Sequence, residues 1–233
     1  SFGFTTAGEY STIFDNNELT SKYCAGICAK GYYAVIGHQY NNERCEGPCP
    51  EGYYCPSCGT LETEILICPS NPTEYCPTGA AIPTRSTPGT YTLPEDRYPR
   101  ISSANCPQGS YCRGGVRTLC PAGTYGNVQR LTTSTCSGNC TAGYYCEEGS
   151  ISATASNCGD ANHYCPEASG EPIAVLTGYY SGPLSASVEN RYEQYLCERG
   201  YYCANGIRHD CGAAFLYCPQ GSIFPTIVED GYY

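Results

Sequence analysis

The chain has 233 residues and a net charge of -10 at pH 7, with 20 Cys, 24 Tyr, 27 Gly and 17 Pro and neither Met nor Trp. Its 12 scattered Lys and Arg exclude a nucleic-acid surface, which needs clustered cations, and the acidic surplus mainly favours solubility. An even number of cysteines at this density marks a disulfide scaffold built in an oxidising compartment, and so much Gly and Pro leaves no window for long helices.

Cys and Tyr supply 44 residues of the 41% counted as hydrophobic, so a single large aliphatic core is not expected. The fold class predicted is small disulfide-rich, mostly β or irregular modules in an elongated tandem array with little helix.

Residues 1–23, beginning "SFGFTTAGEYSTIF", lack the basic start and apolar middle of a signal peptide, and no run in the chain approaches the roughly 18 apolar residues of a membrane span. With no Met anywhere, a mature or excised segment is expected. This N-terminal segment reads as lying outside the repeats that begin at Cys24.

The chain then spells one phrase three times: "CPEGYYC" at 49–55, "CTAGYYC" at 140–146 and "CERGYYC" at 197–203. Gly31, Cys45, Cys49, Cys55, Cys68, Cys76 and Gly89 recur as Gly123, Cys136, Cys140, Cys146, Cys158, Cys165 and Gly178, displaced by 92 to 89 positions. A third pass opens at Cys197, Cys203 and Cys211, each displaced 91 from Cys106, Cys112 and Cys120, and then skips to the "YCP" signature at Cys218. Such a period marks a repeat architecture. The predicted divisions are a partial cysteine-rich repeat over 24–89, a full one over 90–178 and a shortened one over 179–233.

Within CxxGYYC the Gly permits a turn at positive φ, the two Tyr point to opposite sides of a short extended segment, and the Cys fix both ends. The cysteines fall in blocks of two (Cys24, Cys28), six (Cys45, Cys49, Cys55, Cys58, Cys68, Cys76), eight (Cys106, Cys112, Cys120, Cys136, Cys140, Cys146, Cys158, Cys165) and four (Cys197, Cys203, Cys211, Cys218). All are expected in disulfides, each even block closing its own, although spacing leaves the connectivity open. Two irregularities stand against that rule: Cys58 has no counterpart in the other repeats, and Ala34 stands where a cysteine would end "CAKGYY".

Catalytic and metal chemistry find little footing. "CPSC" at 55–58 has the spacing of a redox pair or half a zinc site, but no βαβ pattern surrounds it, and the dense cysteine context favours structural bridges. His38, His163 and His209 are far apart and read as surface residues. The short acidic pairs at 95–96, 147–148 and 229–230 lack the ligand alternation of an EF-hand loop, leaving only weak calcium binding at module junctions as an alternative. No phosphate-binding, dinucleotide or nucleophile motif occurs in a strand-to-helix setting. No enzyme activity, metal or cofactor is expected, apart from covalent glycans.

"NCT" at 139–141 makes Asn139 a candidate N-glycan acceptor, whereas "NPT" at 71–73 is excluded by its Pro. The stretch "TGAAIPTRSTPGTYTLP" at 78–94 has the composition of an O-glycosylated segment, with Thr84, Ser86 and Thr87 as acceptors, or of an ordinary Pro-rich connector. The Tyr rows, Tyr53, Tyr54, Tyr144, Tyr145, Tyr179, Tyr180, Tyr201 and Tyr202, are candidates for a subunit interface, for sugar stacking or for packing inside a module.

The run "CPAGTYGNVQRLTTSTCSGNCTAGYYCEEGSISATASNCGDANHYCPEASGEP" at 120–172 resembles the ephrin-receptor-like cysteine-rich repeats of extracellular proteins, which form long tandem arrays in microbial eukaryotes. A more degenerate version covers most of 24–233. The resemblance implies a disulfide-rich extracellular rod used for spacing, adhesion, matrix or surface appendages, without catalysis. The expectation is a segment or protomer of a surface fibril or matrix assembly, self-associating head-to-tail or binding other extracellular proteins. A spacer or ligand-binding ectodomain of a surface receptor or adhesin is the alternative.

Overall fold

A computed structural model describes residues 23–24, 27–34 and 45–229. Among these residues, the strands form twelve two-stranded sheets, each joining two strands adjacent in sequence, and the helices are single 3-10 turns at Glu62–Glu64 and Val188–Asn190. The fold is mostly β and irregular, and nine disulfides have both cysteines among the described residues.

One hairpin explains the rest. Cys140 opens a turn in which Gly143 takes φ +90, a conformation costly for any residue with a Cβ. Tyr144–Tyr145 then run antiparallel to Ser156–Asn157, Cys146 bonds back to Cys140, and the Cys158 amide donates to the Gly143 carbonyl at 3.3 Å. Cys158 in turn opens the next hairpin, His163–Tyr164 against Ile173–Ala174, closed by Cys158–Cys165. Strands of two to four residues bury almost nothing by themselves. The sulfurs do it instead: Cys49, Cys55, Cys76, Cys106, Cys112, Cys120, Cys140, Cys146, Cys165 and Cys197 are fully buried, Cys28, Cys68, Cys158, Cys203 and Cys218 nearly so, and the buried apolar residues other than Cys among those described are Ala29, Ala80, Ala161 and Tyr180.

Six bridges, Cys49–Cys55, Cys68–Cys76, Cys106–Cys112, Cys140–Cys146, Cys158–Cys165 and Cys197–Cys203, staple a turn across six to eight residues, and Cys211–Cys218 does the same. Cys28–Cys45 and Cys120–Cys136 span 17 and 16 residues. These two belong to hairpins whose closing position holds Ala34 or Gly126, so the opening Cys reaches a later partner. Ala34 is thus no irregularity: it is the counterpart of Gly126.

Pairing within each even block is overturned at its first member, because Cys28–Cys45 joins the first block to the second. Cys58 is bridged as well; the side chain of Cys24 lies outside the described residues. In the third pass Cys211, which stands 91 residues after Cys120, pairs with Cys218 across seven residues, as Cys158 does with Cys165, and not with a distant partner as Cys120 does.

Each hairpin is tied to the next by one recurring bond. The amide at the closing position of one hairpin donates to a carbonyl shortly after the closing position of its successor. Ala34 to Thr60, Cys55 to Ala80, Cys76 to Arg100 and Thr92 to Gly115 are four such rungs, at 2.9 to 3.0 Å. Cys112 to Leu131, Gly126 to Ser150, Cys146 to Ser169, Cys165 to Arg191, Ser181 to Gly206 and Cys203 to Ser222 are six more, at 2.8 to 3.1 Å. The structural repeat is therefore the single hairpin, and the long sequence period is a set of several.

The chain divides into two compact units, one comprising residues 1–104 with 114–116 and the other 105–113 with 117–233. The first four rungs lie in the first unit and the other six in the second.

Candidate functional site

Among the described residues, two hairpins carry no cysteine, and each is held by a device absent from the motif reading. In the first unit, Thr92 stands at the closing position, fully buried. Its Oγ1 donates to the Pro72 carbonyl of the preceding hairpin at 2.7 Å. Arg100 is also buried; its Nη1 donates to the Thr92 carbonyl at 3.1 Å and its Nη2 to the Glu95 carbonyl at 2.7 Å, while the guanidinium sits 4.9 Å from the Tyr98 ring centroid.

The second unit repeats the arrangement. Ser181, fully buried, donates through Oγ to the Ala161 carbonyl at 2.7 Å and accepts from Arg191 Nη1 at 3.1 Å. Burial pushes the Arg191 guanidinium's pKa down. Each arginine also has its Nε buried with no partner among the described residues, a cost that the surrounding bonds must outweigh. Both arginines accept a rung through their own carbonyls, from Cys76 and Cys165. Hydroxyl and guanidinium thus take the place of a disulfide and join successive hairpins.

Glycine completes each joint. A Cβ on Gly115 would lie 1.7 Å from the Pro72 carbonyl oxygen, and one on Gly206 would lie 1.7 Å from that of Ala161. The signal was present in the sequence: Arg100 and Arg191, like Gly115 and Gly206, share the long displacement of the cysteines. A search keyed on Cys passes over them because Ser and Thr stand where Cys closes the other turns.

Around Ser181 the chain gathers aromatic and charged groups. Tyr180 is buried, 5.6 Å from Tyr195 between ring centroids, and donates its hydroxyl to Glu198 at 2.8 Å. Burial first, then the bond to Glu198, raises its pKa. Arg208 lies over Tyr180 and, at 4.3 Å, over Tyr201, and it pairs with Glu198 at 3.4 Å. Tyr195 donates to the Glu193 carboxylate, which pushes the phenol's pKa up to about 12. Tyr202 and His209 stack at 5.0 Å.

The other aromatic candidates divide by exposure. Tyr53 is exposed, and Tyr54, Tyr144, Tyr145, Tyr179, Tyr201 and Tyr202 are half-buried, Tyr54 packing against the Cys68 and Cys76 cluster. Asn139 is exposed on a strand edge with its Nδ2 donating to Glu167 at 3.0 Å. Thr84 and Thr87 are exposed and Ser86 half-buried. Thr84 lies in a strand paired with Glu74–Tyr75, so that this stretch is part of a hairpin.

His163 accepts or donates at Asp160 over 2.8 Å, a bond that holds the Asp160 pKa below its ordinary value; His38 and Asp230 lie outside the described residues. Among the described residues, no group of three or more His, Cys, Asp or Glu could hold a metal ion, and no helix is long and apolar enough to cross a membrane. No family model and no curated protein matches the chain.

Proposed function

We propose that this chain is a non-enzymatic extracellular structural protein, a segment or protomer of a surface fibril, filament or matrix assembly, with hairpins of the ephrin-receptor-like kind. The observation that carries the reading is the recurrent rung from each closing position to the next hairpin, with seven of the turns stapled locally by a disulfide. An array of this kind grows in length without needing a larger core, which suits a spacer or a filament more than a binding cleft. Disulfides at this density fit an oxidising environment such as the cell exterior.

Contacts between copies, head-to-tail or with other extracellular proteins, would run through the accessible Tyr53, Tyr54, Tyr144, Tyr145, Tyr179, Tyr201 and Tyr202. Tyr180 is left out of that surface, since its ring and hydroxyl are already engaged inside its own unit. Glycans on Asn139, Thr84, Thr87 and Ser86 would cover faces not used for assembly.

Electron microscopy of the unreduced, glycosylated native material tests the proposal. Regular filaments with an axial repeat are expected. Isolated rods ending in a globular head would overturn it in favour of a receptor or adhesin ectodomain in which the repeats act as a spacer.

A further inference from the structure

The disulfides are spread unevenly along the chain, and the gaps fall where the hydroxyl–arginine joints lie. From Cys106 onward every cysteine is bridged to another in the same stretch, so no bridge encloses residues 77–105, between the Cys68–Cys76 and Cys106–Cys112 staples. Nor does any enclose residues 166–196, between Cys158–Cys165 and Cys197–Cys203. Between one staple and the next beyond Cys106, the other open stretches are short: 113–119, 137–139, 147–157 and 204–210. A bridge removes the loop it closes from the line of tension. An unbridged stretch is held by non-covalent contacts alone and can be drawn out to its full contour.

We propose that residues 77–105 and 166–196 are two reserves of extensible chain, each latched by its hydroxyl–arginine joint, that pay out under tension while the stapled hairpins stay folded. Each reserve holds roughly 30 residues between its flanking staples, which at about 3.3 to 3.6 Å per residue is roughly 100 Å of chain. The latches are Thr92 on Pro72 with Arg100, and Ser181 on Ala161 with Arg191. Each joint fastens a hairpin inside a reserve to the stapled hairpin before it, and its rupture, together with the rungs and strand pairs of the same stretch (Cys55 to Ala80, Cys76 to Arg100 and Thr92 to Gly115 in one, Cys146 to Ser169, Cys165 to Arg191 and Ser181 to Gly206 in the other), frees the chain. The chain between neighbouring staples elsewhere has far less length to give. This device concerns the chain under load in either a filament or a receptor spacer, and it stands or falls independently of the assembly question.

Pulling the full-length oxidised protein between handles at its two ends, one molecule at a time, tests it. The expected record contains two rupture events that each release roughly 100 Å, less the folded span of the segment. Ser181→Ala is expected to raise the rupture rate of one event about tenfold at constant force, and Thr92→Ala that of the other, since each removes bonds from one latch only. If a variant leaves its segment unfolded from the outset, the same length appears as slack at low force and the event disappears, which also supports the proposal. A reductant is expected to add new release steps from the hairpins while leaving these two in place. An oxidised record with no event near this length, or variants that leave both events unchanged, overturns it.

Discussion

At the scale of single residues, the glycines at the joints do different work from the glycines in the turns. Gly200 has φ +85 and nothing within 4 Å of an added Cβ, whereas Gly206, φ +69, would put that carbon 1.7 Å from a backbone oxygen. Gly200→Ala is therefore expected to cost about 1 to 2 kcal/mol for the left-handed backbone alone, and Gly206→Ala clearly more, because the oxygen it strikes belongs to the Ala161 carbonyl that receives Ser181. Denaturant unfolding of the two oxidised variants side by side checks the order. Part of the alkaline pH response also belongs to one residue. The Tyr195 phenol is stabilised in its neutral form by donating to Glu193, raising its pKa from 10.0 to about 12. Its contribution is fully present below about pH 10 and is lost as pH rises through about 12. Glu193→Gln is expected to return the phenol toward its ordinary pKa, read as earlier tyrosinate absorbance in a spectrophotometric titration.

At the scale of the hairpin, a staple closing seven residues, such as Cys158–Cys165, constrains a short loop. Replacing both cysteines with Ser is expected to destabilise that hairpin by about 2 to 3 kcal/mol on a loop-entropy basis, measured by chemical denaturation of the otherwise oxidised chain. Much of this element was legible in the sequence, because CxxGYYC names its own geometry: Cys at both ends, Gly where φ must be positive, and two residues of strand. The choice of partner was not legible at Cys28 and Cys120, where Ala34 or Gly126 occupies the closing position and the bridge passes to Cys45 or Cys136. Counting cysteines by block hid that choice, since a block boundary has no physical meaning when the opening Cys of one hairpin can reach into the next loop. The cysteine-free hairpins were missed altogether. Thr92 and Ser181 look like ordinary turn residues until their hydroxyls are seen buried against a neighbour's carbonyl, a contact made 20 residues away in each case.

At the scale of the molecule, the described hairpins from the one closed at Ala34 onward are each fastened to their sequence neighbour, so stability behaves as a sum of unit and nearest-neighbour terms. Damage should then stay local. Gly206→Ala is expected to speed amide exchange in the hairpins around 160–165, 176–182 and 201–210 and to leave Cys140, Cys146 and the residues between them protected, as hydrogen-exchange mass spectrometry would show; uniform loss of protection along the chain would contradict a neighbour-only coupling. The same locality accounts for the shortened final pass, where the Cys211–Cys218 hairpin follows Cys197–Cys203 directly and the Cys203 amide still finds its rung on Ser222. It also bears on how the protein is made. From Cys106 onward each cysteine is bridged to the one immediately before or after it in the sequence. As the chain leaves the ribosome, each native partner is thus the first thiol to arrive, and the correct pairing among many can be reached in order of emergence, with little need for an isomerase to undo mistakes.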